Sequence, residues 1–142
     1  MTLREYYTKL KSIDLQRLKE EAVEACKKEI IEANQSQLRE GKNANGQVMR
    51  PPYSEAYRKR KSRMSSYRAP YGIPDLYLTG EFQEAFDVIV DNGQYDIISW
   101  DEKTAFLQLM YDNIFGLSPE NIDKIRLIVT SKLRELLNLR LN

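Results

Sequence analysis

The chain has 142 residues, 42% hydrophobic and 30% charged, a composition that excludes a disordered tract and suits one folded domain. The net charge is +1, with no histidine and one cysteine, which excludes His-dependent triads, His-containing zinc sites and an internal disulfide. No run approaches the ~20 apolar residues of a membrane span, and the charged opening residues 1–7 argue against a signal peptide, so a soluble protein made in a cytoplasm is expected.

Residues 1–12 are amphipathic, with Leu3, Tyr6, Tyr7 and Leu10 forming one helical stripe or a docking arm. A long helix is predicted from Asp14, a good N-cap, to about Glu40. Its apolar positions are Leu15, Leu18, Ala22, Cys26, Ile30, Ala33 and Leu38, and Gly41 ends it. A helix of that length can project beyond its own domain. Cys26 falls on the apolar face and reads as an inert buried thiol.

Residues 41–74 read as a long basic connection. Asn45-Gly46 signals a turn, and Pro51-Pro52 holds the chain extended. Ser54 caps a short helix reaching about Ser62, with Tyr53, Tyr57 and Lys61 on one side. Arg58, Lys59, Arg60, Lys61 and Arg63 make the most basic patch of the chain. Residues 62–74 are rich in Ser, Tyr, Gly and Pro, and an exposed loop is expected there.

The stretch Pro74–Phe86 organises the rest of the chain around it. Leu76 and Leu78 alternate with Asp75 and Tyr77 as in a half-buried strand, Thr79 offers a helix cap, and Gly80 turns the backbone. Phe82 and Phe86, four apart, share one face of a helical turn. Strands Phe86–Asp91 and Gln94–Trp100 meet at Asn92-Gly93, whose residues favour a type I′ turn. That turn pairs Val90 with Tyr95, Val88 with Ile97, and Phe86 with Ser99 on an apolar face. Asp87, Ile89, Asp91, Asp96 and Ile98 make the other face mixed and wet.

A helix over 104–113 is expected to turn Ala105, Phe106, Leu109, Met110 and Ile114 inward, before Phe115-Gly116 closes it. Ser118 and Pro119 open the last helix, which runs to about residue 139 with an inner stripe of Ile122, Ile125, Val129, Leu133, Leu136 and Arg140. Its apolar face is wide enough for a second neighbour, from the same core or from another subunit. The expected fold is α+β, one domain over residues 1–142. A small antiparallel sheet on the 86–100 hairpin packs against helices 14–40 and 119–139, and Leu76–Leu78 or residues 47–50 add a strand.

Charge is unevenly spread. Residues 39–68 hold nine basic and two acidic groups, whereas 69–116 hold one basic and nine acidic. Such patches either neutralise each other inside the fold or meet head to tail between copies. Asp87, Asp91, Asp96, Asp101 and Glu102 invite a metal or paired-carboxylate reading, but their spacing fits no ligand loop, and a solvated hairpin face accounts for them. Tyrosines among the basic residues suit either nucleic acid or a charged subunit contact.

In order along the chain, Gly46, Pro51-Pro52-Tyr53, Tyr57 with Lys61, Leu76-Tyr77-Leu78-Thr79-Gly80-Glu81-Phe82, the 86–100 hairpin and Tyr111…Phe115-Gly116 resemble a tailed-phage family of virion morphogenesis, minor tail and tail-completion proteins. Many members close this region with a Tyr…His-x-x-Gly motif, and the histidine is absent here. The resemblance implies a structural virion protein, not an enzyme, needing no cofactor or metal. It implies a ring of copies at the head–tail junction or proximal tail end, made in a bacterial host cytoplasm. Its implied partners are its own copies, other head–tail or tail proteins, and phage DNA. The expected contact residues are Tyr53, Tyr57, Arg58, Lys59, Arg60, Lys61, Arg63, Asp87, Asp91 and Asp96. The alternatives are a small DNA- or RNA-binding protein using residues 50–68, and an enzyme on the acidic hairpin.

Overall fold

Capping side chains set the starts of four helices in the computed structural model, which describes residues 1–142. Helix α1 (Leu3–Ser12) opens with a reciprocal capping box: the Glu5 amide donates to Thr2 Oγ1 at 3.1 Å, and the Thr2 amide donates to Glu5 Oε2 at 2.7 Å. Asp14 caps α2 (Leu15–Ala25), Ser54 caps α4 (Glu55–Ser62), and Ser118 caps α7 (Pro119–Leu141), which carries its proline in the first turn.

The long helix expected over 14–40 is two helices, α2 and α3 (Lys27–Arg39). The joint is Cys26, at φ −104° and ψ 10°, whose amide is shared between the Ala22 and Val23 carbonyls. Neither half projects. Both pack on the first strand and on α7. At the end of α3, Gly41 (φ +82°) donates to Leu38 and Lys42 donates to Gln37, which satisfies carbonyls that a helix end would otherwise strand.

The α+β fold has seven helices and one antiparallel pair, β1 (Phe86–Asp91) and β2 (Gln94–Ser99). The register is the expected one: Phe86 faces Ser99, Val88 faces Ile97, and Val90 faces Tyr95. Asn92 (φ +48°) and Gly93 (φ +76°) take the paired left-handed conformations of a type I′ turn. No third strand forms. Residues 42 and 48 make only an isolated bridge, and Leu76 has φ +54°, which breaks the extended run. Gly80, not Thr79, precedes the single turn α5 (Glu81–Glu84), and Thr79 makes no cap bond.

Two apolar clusters fill the interior. The larger joins Leu38, Met49, Leu76, Phe82, Phe86, Tyr111 and Ile114. Phe82 meets Phe86 edge to face at 5.1 Å, with Phe115 against both rings. The smaller joins Cys26, Ile30, Val88 and Ile125, so it ties the α2–α3 joint to the hairpin and to α7. Between them α3 sends in two polar side chains. Buried Asn34 donates to the Ile114 carbonyl at 3.1 Å and accepts from the Gly116 amide at 3.0 Å. Gln37 donates to the Gly116 carbonyl at 3.0 Å and accepts from the Ser118 amide at 2.6 Å. These bonds satisfy the irregular 114–118 backbone where it crosses the core.

Helix α6 (Thr104–Met110) is shorter than expected and turned the other way. Leu107 packs inward, whereas Phe106, Leu109 and Met110 face out. No helix is long and apolar enough to cross a membrane.

Candidate functional site

The basic helix is fixed to the fold by one acid. Lys61, at the end of α4, is fully buried, and its Nζ lies 2.9 Å from Asp75 Oδ1 and donates to the Tyr77 carbonyl. Lys61 therefore leaves the exposed patch to which the sequence assigns it, because its stem and charge are enclosed by the 67–77 segment. The Tyr53 hydroxyl donates to Asp75 Oδ1 at 3.0 Å and accepts from the Asp75 amide at 3.1 Å. The Tyr77 amide donates to the same carboxylate at 3.2 Å, and the Tyr67 ring lies 5.4 Å from the ammonium. Tyr57 stands edge-on to Tyr53 at 4.7 Å. Lys61 Nζ also donates to Asp75 Oδ2 at 3.2 Å, so the carboxylate has partners on both oxygens, which is what keeps a buried ion pair from being a net loss.

These surroundings act on the phenols. Burial, then the Asp75 charge, pushes the Tyr53 hydroxyl far above the ordinary tyrosine range. Tyr57 and Tyr67 shift in the same direction for the same two reasons. The network also holds Leu76 in its left-handed conformation, since the Leu76 amide points at the Tyr53 hydroxyl at 3.4 Å. The 62–74 loop is exposed at Arg63, Ser65, Arg68, Pro70 and Tyr71, as expected, but it is tied down between them. Ala69 and Pro74 are buried, and the Tyr67 hydroxyl, with one proton to share, lies 2.6 Å from both the Pro70 and the Ile73 carbonyl.

With Lys61 withdrawn, the outer face of α4 presents Lys59, Arg60 and Arg63. Lys59 is paired with Glu55 at 3.6 Å, and half-buried Arg58 reaches over the Tyr71 ring at 5.9 Å. None of these cations reaches the hairpin acids. Asp91 and Asp96 are exposed, while Asp87 accepts from the Trp100 indole at 3.2 Å and from the Val88 amide at 2.8 Å. The indole bond, helped by that amide and by Lys27 at 3.9 Å, holds the Asp87 carboxyl below its ordinary value. No three of the acidic residues gather into a metal-ligand group. Lys61–Asp75 is the one ion pair joining the basic 39–68 stretch to the acidic 69–116 stretch.

Beside this network runs an apolar groove of about 550 Å³ between the start of α4, residues 76–82 and α6. Pro52, Tyr57, Leu78, Phe106 and Met110 form its walls, and Glu81 and Lys103, 3.7 Å apart, cross its rim. Sequence reasoning missed this surface by turning Phe106 and Met110 inward. The available signal was that Ala105–Met110 holds a single polar residue, Gln108, leaving apolar side chains on both sides of the helix. It also missed Asp75, a lone acid between Pro74 and Leu76 in an otherwise uncharged run.

No protein-family model matches the chain, and no match is found among curated proteins or solved structures.

Proposed function

We propose that the chain is a structural subunit of a tailed-phage particle, a neck or tail-completion protein that assembles as a ring and carries out no chemistry. What supports this reading most is the charge arrangement. The basic surface of α4 and the acidic face of the hairpin share no ion pair; Lys59 is met by Glu55 and Asp87 by Lys27, which leaves Arg60 and Arg63 on one side and Asp91 and Asp96 on the other exposed to a neighbour. Two different surfaces of opposite sign meet head to tail, and a head-to-tail contact closes into a ring when its rotation permits. The order of motifs from Gly46 to Gly116 is that of the phage family to which the sequence bears a resemblance. Its partners are further copies and adjoining head–tail or tail proteins, in the virion.

A second reading, a small DNA- or RNA-binding protein, is favoured by the exposed cations Lys59, Arg60 and Arg63 and by Arg58 over the exposed Tyr71 ring. Light scattering across protein and salt concentration, with negative-stain images, separates the two. Closed rings that dissolve as salt rises are the expected result. A chain that stays monomeric and gains mass only with duplex DNA, steeply dependent on salt, overturns the ring reading in favour of the second.

A further inference from the structure

The outer face of the hairpin carries the chain's only tryptophan. The Trp100 amide donates to the Ala85 carbonyl at 3.0 Å, which extends the ladder by one pair beyond Phe86 and Ser99. Strand alternation then puts Trp100 on one face with Ile98, Ile89, Asp91 and Asp96. The α2–α3 joint and α7 meet the opposite face, at Val88. On the outer face Ile89 is 40% and Trp100 69% exposed.

The indole is exposed but fixed. Its Nε1 donates to Asp87 Oδ2 at 3.2 Å, and Asp87 is itself held by the Val88 amide and lies 3.9 Å from Lys27 Nζ. A surface aromatic already held in place has little freedom left to lose on docking, and tryptophans of this kind dominate binding energy. Asp91 and Asp96 flank the patch, both exposed and in no ion pair.

Such a patch fits a partner that is basic around an apolar side chain. A second hairpin does not fit, because it sets Asp91 and Asp96 against further carboxylates. The densest basic surface of the chain is that of α4, where Arg60 and Arg63 are exposed. Helix α4 exposes no large apolar side chain of its own, but Tyr71 stands beside it, 57% exposed, with the Arg58 guanidinium 5.9 Å from its ring centre.

We infer that Tyr71 of one copy packs on Trp100 of the next, over the Ile89–Ile98 patch, with Arg60 and Arg63 facing Asp91 and Asp96. The aromatic pair supplies the hold, and the charges supply orientation and salt sensitivity. The inference rests on the head-to-tail reading above and names the apolar centre of that contact.

The single tryptophan makes the test direct. In the full chain its emission is expected to move to shorter wavelength on association, along the same concentration curve as the mass read by sedimentation velocity. Tyr71→Ser, at an exposed loop position, is expected to weaken association about thirtyfold and to hold the emission at the monomer wavelength where the parent shifts. Trp100→Ser should weaken association by a similar factor. The double variant should weaken it no further than either alone, since the two side chains meet each other across the contact. Circular dichroism melts matching the parent establish that the variants fold, and the parent's emission needs no variant. Rings whose emission stays at the monomer wavelength overturn the Tyr71–Trp100 contact and leave the ring reading standing. A shift that survives Tyr71→Ser but vanishes in Leu3→Ser with Tyr7→Ser overturns Tyr71 as the occupant in favour of α1, which also joins exposed apolar side chains to cations. Open chains in place of rings, with the shift lost in Tyr71→Ser, keep the contact and overturn the ring. A parent that is monomeric at about 1 mM overturns both.

Discussion

Lys61 Nζ lies 2.9 Å from Asp75 Oδ1, and neither side chain has any exposed surface. The pair links α4 to the segment that lines the apolar groove, so its loss loosens both. Lys61→Met or Asp75→Asn alone leaves one buried charge without its counterion, and each is expected to cost about 3–5 kcal/mol in urea unfolding. The double substitution is expected to cost less than the sum, since it strands no charge. Equal and additive losses would show that the charges are not coupled.

Alkali is expected to unfold the protein through its tyrosines. The ordinary phenol value is about 10. Burial, followed by the Asp75 charge, raises Tyr53, Tyr57 and Tyr67, and burial raises Tyr111. Above pH ~10 the unfolded chain releases these protons and the folded chain keeps them, so stability is full below that pH and falls as pH rises. Tyrosinate absorbance should appear together with loss of helix signal. Tyr53→Phe should flatten the fall while costing about 1–3 kcal/mol at neutral pH, because the Asp75 amide loses its acceptor.

Gly41 tests backbone and packing separately. A Cβ there meets Ile73 Cγ2 at 2.5 Å, in a residue at φ +82°. At Gly46, with φ +77°, a Cβ finds only Ser118 Cβ at 3.6 Å. Both alanine substitutions carry the left-handed strain of about 1–2 kcal/mol. Only Gly41→Ala adds the clash, so it should shift the urea midpoint clearly further. Equal shifts would mean that Ile73 moves aside without cost.

The exposed cations of α4 carry little folding energy. Replacing Lys59, Arg60 and Arg63 together by Glu should leave stability within about 1 kcal/mol, since each is a surface change. Association measured at low salt should nevertheless weaken, and the remaining association should lose most of its salt dependence. An unchanged salt profile would remove α4 from the contact.

The parts of the fold legible in the sequence were those written in local chemistry. Asn92-Gly93 set the hairpin register down to Phe86 against Ser99, and Ser118-Pro119 set the start of α7. What the sequence hid depends on distant partners. Leu76 alternates with its neighbours like a strand residue, but the Asp75–Tyr53–Lys61 network bends it to φ +54°. Lys61 reads as one more surface cation until its counterion, fourteen positions on, encloses it. Phe106, Leu109 and Met110 keep helical spacing whichever side faces in, so periodicity alone left α6 free to turn either way. Of the candidate site, Tyr53 and Lys61 do converge, but on Asp75, a carboxylate that α4 does not contain, and Tyr57 joins them only by packing edge-on to Tyr53.

Cys26, the residue at which α2 hands over to α3, is also the only thiol in the chain, buried in the smaller apolar cluster. Its burial, with Glu29 nearby, raises the thiol above its ordinary value, so the folded form is doubly protected from alkylation. A thiol reagent therefore reports on one event, the parting of the two helices from the hairpin. The protein carries a built-in clock for the opening of that joint, readable by mass without adding any label site.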